Sequence, residues 1–285
     1  MKPRFAATSW SEPPSAAPLA RAEGRLELSF RRRGEATVLD HLYQQGCAKA
    51  RFPRRETGAH MTAVTLNTAG GLTGGDRLST RVDWGPGTSA TVASQAAERA
   101  YRAIGGVPAR QETRLSVGEG AFAEWLPQET ILFDDCDLAR DLCIDMAPDA
   151  AFLGLEQVVF GRTARGESVS RGRFRDAWRL SRGGRLIYAD VLSLEGDMQG
   201  RLDRLAAAQG CRASASIVGA GGGLAGRLDD VRNALGNFTL WGASAFDDMI
   251  LIRCLGQTGA DLRRMVLAAL APLRGARPIP RVWQI

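Results

Sequence analysis

Two glycine-rich stretches are where residue types and spacing in this chain could do chemistry. Gly70-Gly71-Leu72-Thr73-Gly74-Gly75-Asp76-Arg77 has the outline of a phosphate loop. Such a loop needs Lys and then Ser or Thr after its last glycine, and Asp76 stands where that Lys would be. Its carboxylate would repel phosphate, so nucleotide binding is rejected here. Tight β-turns that present Asp76 and Arg77 are expected instead. Gly221 to Gly226 matches G-x-G-x-x-G, with a strand-like run from Arg212 to Val218 before it and a helix pattern after it. Asp247 and Asp248 follow roughly 20 residues on, where a ribose-binding acid would sit. A dinucleotide-dependent oxidoreductase is therefore an alternative reading. Against it, the βαβ unit would be solitary, behind a long stretch of β pattern.

Hydrolytic chemistry is poorly supported. The chain has two histidines, His41 and His60, and neither G-x-S-x-G nor S-x-x-K occurs. No His pair has i,i+4 spacing for a stable imidazole metal site. Phe133-Asp134-Asp135-Cys136-Asp137 offers weak metal ligands, but an exposed turn accounts for it more simply. Gly161 and Gly166 bracket a turn that should hold Arg162 and Glu167 near each other.

Stepping out to the whole chain, 285 residues with 45% hydrophobic and 24% charged composition exclude a wholly disordered chain, a collagen-like fibre and a coiled coil. The net charge of +6 comes almost entirely from 35 Arg against Lys2 and Lys49. The basic clusters Arg31 to Arg33 and Arg51, Arg54, Arg55 carry little aromatic interleaving, so no nucleic-acid partner is expected. Five cysteines, an odd number with no C-x-x-C, argue against a disulfide framework and a zinc site and fit a reducing cytoplasm. No stretch reaches the roughly 20 apolar residues of a membrane helix. Residues 1–20 read as a mobile Pro/Ser/Ala tail, and 21–285 as one domain.

The elements that must position these residues are mainly strands. Arg25 to Phe30, Thr62 to Leu66, Arg77 to Trp84 and Thr113 to Val117 alternate with period two. Trp178 to Tyr188 is a hairpin whose Gly183-Gly184 pair suits a type I′ turn. Leu224, Leu228, Val231 and Leu235 make one helical face. A second helix spans about Gly259 to Arg274, with a Thr258/Asp261 capping box and Gly275 as its stop. A short helix over Gln95 to Arg102 is predicted from the Glu98/Arg102 pair. The fold class is mainly β: one domain of stacked strands, β-helix-like, with two or three helices, two of them near the C-terminus.

Several segments, in this order, resemble the urease accessory protein UreD family, called UreH in some organisms. They are Leu66 to Asp76, Ser94 to Arg102, Trp125 to Phe133, Phe160 to Glu167 and Pro280 to Trp283. The resemblance covers about residues 25–285. It implies a non-enzymatic chaperone of nickel insertion into apo-urease, with no tightly bound cofactor. Family members dock UreF, which recruits the GTPase UreG, so GTP would sit on that partner. It also implies a partner-mediated dimer of heterodimers, and an internal tunnel through which nickel passes in transit. By this resemblance Asp76 and Glu167 are candidate passing ligands for nickel. Gln95, Tyr101, Arg102, Pro127, Gln128 and Arg162 are candidates for the tunnel wall or a partner face. The two late helices and the segment ending at Trp283 are candidates for docking UreF.

Overall fold

A computed structural model describes residues 20–53, 60–162 and 166–284. Nearly all of the expected N-terminal tail, Arg54, Arg55 and the middle of the Gly161–Glu167 turn lie outside the described residues.

The alternating segments form β1 (Glu23–Arg33), β2 (Ala36–Gly46), β3 (Ala48–Arg51), β4 (Met61–Asn67), β5 (Arg77–Trp84) and β6 (Ser89–Ser94). They continue as β7 (Glu98–Ala100), β8 (Ala109–Val117), β9 (Phe122–Leu126), β10 (Thr130–Leu132), β11 (Cys136–Met146) and β12 (Ala151–Phe160). The last are β13 (Arg171–Arg182), β14 (Arg185–Asp197), β15 (Ala213–Ala220), β16 (Trp241–Phe246) and β17 (Met249–Gly256). The chain winds back and forth between two sheets. β4, β6, β9 and β12 stack in parallel in one. β5, β8, β11 and β13 stack in parallel in the other. Antiparallel strands close the ends, giving a seven-stranded sheet ordered β14-β13-β11-β8-β5-β1-β2 and a ten-stranded sheet that ends on β16. The expected stack of strands is therefore what forms.

Among the described residues three α-helices complete it: α1 (Met198–Asp203), α2 (Leu228–Leu235) and α3 (Gly259–Arg274). α3 begins at the expected capping box. Thr258 accepts from the Asp261 N–H, Asp261 accepts from the Thr258 N–H, and Gly275 at φ 58° ends the helix. α2 and α3 cover the outer face of the ten-stranded sheet through Leu155, Ile217, Val266 and Leu270. The centre of that sheet is thus buried on both faces, which is why β12 reads as an almost unbroken apolar run. β11, in the seven-stranded sheet, alternates buried and accessible positions along its length, as a one-sided strand should.

Gln95 to Arg102 is not the expected helix. Glu98 to Ala100 instead pairs in parallel with β10. Glu98 accepts from Asn67 Nδ2 and from its own neighbour's N–H, and Arg102 pairs with Asp135 rather than with Glu98. Rung-to-rung pairing outweighs one local ion pair of a few tenths of a kcal/mol.

Among the described residues, two large apolar cores lie between the sheets. One is built around Phe30, Trp84, Phe152 and Trp178, the other around Leu72, Leu132, Phe160 and Phe174. They are separated by a band of polar residues on inward-facing positions: Thr80, Gln111, Arg140, Asp176 and Asp190 on one sheet, Glu156, Ser214 and Ser216 on the other.

Candidate functional site

The centre of the band is a buried charge cluster. Parallel pairing places Arg140 of β11 directly beside Asp176 of β13 and Gln111 of β8. The guanidinium grips Asp176 with two hydrogen bonds, at 3.2 and 2.5 Å. It also donates to Thr130 Oγ1 at 2.8 Å and meets Glu156 Oε2 at 2.7 Å. The Trp125 indole N–H donates to the other Glu156 oxygen at 2.9 Å. Phe174 lies beneath the guanidinium, its ring centre 5.4 Å away. Two carboxylates thus face one cation away from water. Burial raises the Glu156 carboxyl above the ordinary carboxylate range, beyond what the Arg140 charge can offset. Burial opposes the charge on Arg140 as well, but Asp176 and then Glu156 outweigh it and hold it above its ordinary value.

Two cavities meet at this cluster, with Arg140 and Glu156 in the wall of both. One, of about 180 Å³, is also lined by Thr80, Gln111, Glu98 and Gln95 and reaches the surface at Gln95. The other, of about 60 Å³, is lined by Asp176, Asp190, Ser214 and Ser216 and reaches the surface at Arg253. The charge cluster thus borders both cavities.

The residues nominated from sequence fall into separate groups. Gln95, Pro127 and Gln128 line the larger cavity. Gln128 is also tied to the C-terminus: it donates to the Val282 carbonyl at 2.7 Å and accepts from Arg263 at 2.9 Å. Trp283 is buried, and its indole donates to the Leu126 carbonyl at 3.1 Å, so it anchors this segment. Tyr101, Arg102, Arg162 and Glu167 gather at the corner where the chain passes from the ten-stranded to the seven-stranded sheet. There Tyr101 packs on Phe133 at 4.8 Å, Arg162 lies over the same ring and pairs with Glu167, and Arg102 pairs with Asp135. Asp76 is buried, and its two oxygens accept from the N–H groups of Ala22 and Thr73, each at 2.8 Å. Neither Asp76 nor Glu167 is among the residues lining the two cavities described above.

Sequence reading passed over Arg140, Asp176 and Glu156. Their signal is a polar residue on the inward phase of an otherwise apolar alternation: Leu138-x-Arg140-x-Leu142 and Phe174-x-Asp176-x-Trp178.

Comparison with known proteins decides the family. The UreD urease accessory protein model matches residues 22–284. The chain belongs to the UreD family. A urease accessory protein UreD of Chelativorans sp. is 40% identical over 274 residues, covering 96% of this chain and 98% of its own. One from Rhizobium johnstonii is 42% identical over 265 residues, covering 93% and 96%. One from Methylobacterium sp. is 44% identical over 271 residues, covering 93% and 95%. An accessory role in urease maturation follows, and that role is not itself catalytic.

The Gly221–Gly226 loop is not built as a dinucleotide site. β15, which leads into it, pairs antiparallel on both sides, with β12 and with β17. A dinucleotide fold needs parallel strands joined through the helix. Gly221, Gly222 and Gly223 all have positive φ and turn the chain into a 3₁₀ segment ahead of the eight-residue α2. The loop is a turn that seats α2 on the sheet.

A second buried charge cluster holds α3 in place. Glu124 of β9 is fully buried and accepts two hydrogen bonds from Arg274 in the last turn of α3, at 2.9 and 2.8 Å. Thr91 also donates its hydroxyl to Glu124. With that proton committed, Thr91 can only accept from His60 Nε2, 2.7 Å away, leaving His60 Nδ1 to accept from Ser89 at 2.7 Å. The ring is thus held neutral. Burial lowers its pKa from 6.5 to about 4, against the opposing pull of Glu124. The folded pKa lies below the unfolded one, so the contribution to stability is present above pH 6.5 and lost as pH falls towards 4. It is worth on the order of 3 kcal/mol. His60→Gln should flatten the fall in denaturant midpoint between pH 6.5 and 4, and an unchanged slope would show that His60 does not carry it.

Proposed function

We propose that this chain is a scaffold and conduit in urease maturation, passing nickel as cargo to apo-urease through the polar band between its two sheets. The observation that carries the reading is the pair of cavities meeting at Arg140 and Glu156, bounded on both sides by apolar core. Carboxylate, hydroxyl and amide oxygens are hard donors. Present in small numbers they hold nickel weakly, which suits passage better than storage. Nucleotide chemistry belongs to the partner GTPase UreG, with UreF between the two chains and a dimer of heterodimers as the assembly. α2, α3 and the segment anchored by Trp283 are the proposed UreF-docking element. The setting is the reducing cytoplasm.

Asp76 and Glu167 stand in this proposal as ligands outside the two cavities. Ala22 and Thr73 each occupy one Asp76 oxygen, and Arg162 occupies one oxygen of Glu167, so a metal there competes with partners already in place. The passage itself therefore rests on Glu98, Glu156 and Asp176.

The maturation role is tested in the source organism. Deleting the gene should abolish urease activity in nickel-supplied cells while urease subunit levels stay normal, and the gene in trans should restore it. Undiminished urease activity in the deletion strain would overturn the reading.

A further inference from the structure

The two cavities share a wall made of a cation. Arg140 is 5% exposed and sits where the larger cavity ends and the smaller begins. A guanidinium held there repels any second cation strongly, because little water screens it. A route for nickel along this band is therefore shut while Arg140 keeps its seat between Asp176 and Glu156.

A second seat is available. Gln111 is the direct strand neighbour of Arg140, on the side away from Asp176, and both side chains line the larger cavity. The Gln111 Oε1 atom is buried and accepts no hydrogen bond from any described protein group. A buried acceptor without a donor is unfavourable, and its presence asks for an explanation. It is an acceptor within one strand spacing of a group that carries five donors.

We propose that Arg140 is the gate of the passage: a divalent cation crosses by taking its place at Glu156 and Asp176 while the guanidinium swings to Gln111. The inference rests on the passage reading. The exchange keeps the centre compensated: a net charge of minus one with the guanidinium in place becomes zero with a divalent ion. Two carboxylates that face one guanidinium in the closed state face the metal in the open one, and no buried carboxylate is left without a cation.

The test uses the full chain with purified partners and limiting nickel, and reads both urease activation rate and the melting temperature of the free chain. Gln111→Met removes the second seat without breaking a hydrogen bond at Oε1. It should keep the melting temperature within about 2 °C of the parent yet slow activation about tenfold. A merely structural Gln111 would move both readings together or neither. Arg140→Gln leaves the two carboxylates without their cation. It should lower the melting temperature, and added nickel ion should raise it again. The triple variant Arg140→Gln, Glu156→Gln, Asp176→Asn should show no response to nickel. Thr80→Trp, which fills the larger cavity while leaving Arg140, Gln111, Glu156 and Asp176 in the sequence, separates the two ideas. If it activates urease at the parent rate, the passage itself fails. If it is inactive while Gln111→Met runs at the parent rate, the gate alone is overturned. No nickel response in Arg140→Gln also overturns it, and if that variant does not fold, Gln111→Met decides alone.

Discussion

Thr80→Trp should reduce urease activation by at least about tenfold while the chain still assembles with its partners. Thr80 faces inward from β5, part-buried, and lines the larger cavity. That cavity has a volume of about 180 Å³, and an indole in place of a hydroxyl and a methyl removes much of the space through which a partly hydrated ion must move. Overpacking costs about 1–3 kcal/mol, a loss a domain of this size tolerates. The effect should therefore appear in activation and not in pull-down yield. Thr80→Ser, which leaves the cavity open, is the matched control. Parent-level activation by Thr80→Trp, with the variant shown to be folded, would mean that nickel does not use this route.

The largest effect on stability is expected at Glu124. Glu124→Ala leaves Arg274, which is 3% exposed, without the carboxylate that receives two of its donors, and deprives Arg277 of the same neighbour at 3.4 Å. Removing one partner of a buried pair costs about 3–5 kcal/mol, because the other charge stays desolvated. For a domain of this length that is roughly 10 °C in melting temperature. Replacing both partners, as Glu124→Met with Arg274→Met, should recover most of the loss, since no orphan charge remains. The pH dependence has a definite sign. Burial alone would raise the Glu124 carboxyl, but the hydrogen bonds and charge of Arg274, with Thr91 and Arg277, hold it below the ordinary value of 4.5. Its contribution is therefore full above pH 4.5 and is lost as pH falls through the lower folded value. Denaturant titrations of both variants at pH 7 check the magnitudes, and a parent series taken downwards through pH 4.5 checks the sign. A loss under about 1 kcal/mol for Glu124→Ala would mean that α3 is held by its apolar face alone.

Local signals read well where local physics decides. The Gly183-Gly184 turn, with φ of 56° and 78°, and the Thr258/Asp261 capping box are each set by a few neighbouring residues, and both form as expected. At β7 the Glu98/Arg102 spacing is a local helical cue, whereas the pairing partner β10 lies a full winding further on. The polar band was illegible for a different reason. Arg140 and Asp141 are adjacent basic and acidic residues of one strand, yet the first is buried and the second half-exposed. Only knowledge of which phase faces the second sheet tells them apart, and pattern alone does not supply it. The corner cluster of Tyr101, Arg102, Arg162 and Glu167 came from family resemblance. The structure joins those residues around Phe133, but apart from the cavity that Gln95, Pro127 and Gln128 line.

Nickel that travels inside the protein is hidden from a chelator in solution. The most direct measurement is the nickel content of urease matured from purified components in the presence of excess EDTA, which strips nickel from open solution. With this chain in the complex, urease should acquire nickel despite the chelator, and with the Thr80→Trp chain it should not. If EDTA blocks nickel transfer as completely with this chain as without it, the metal passes through solvent and the conduit does not exist.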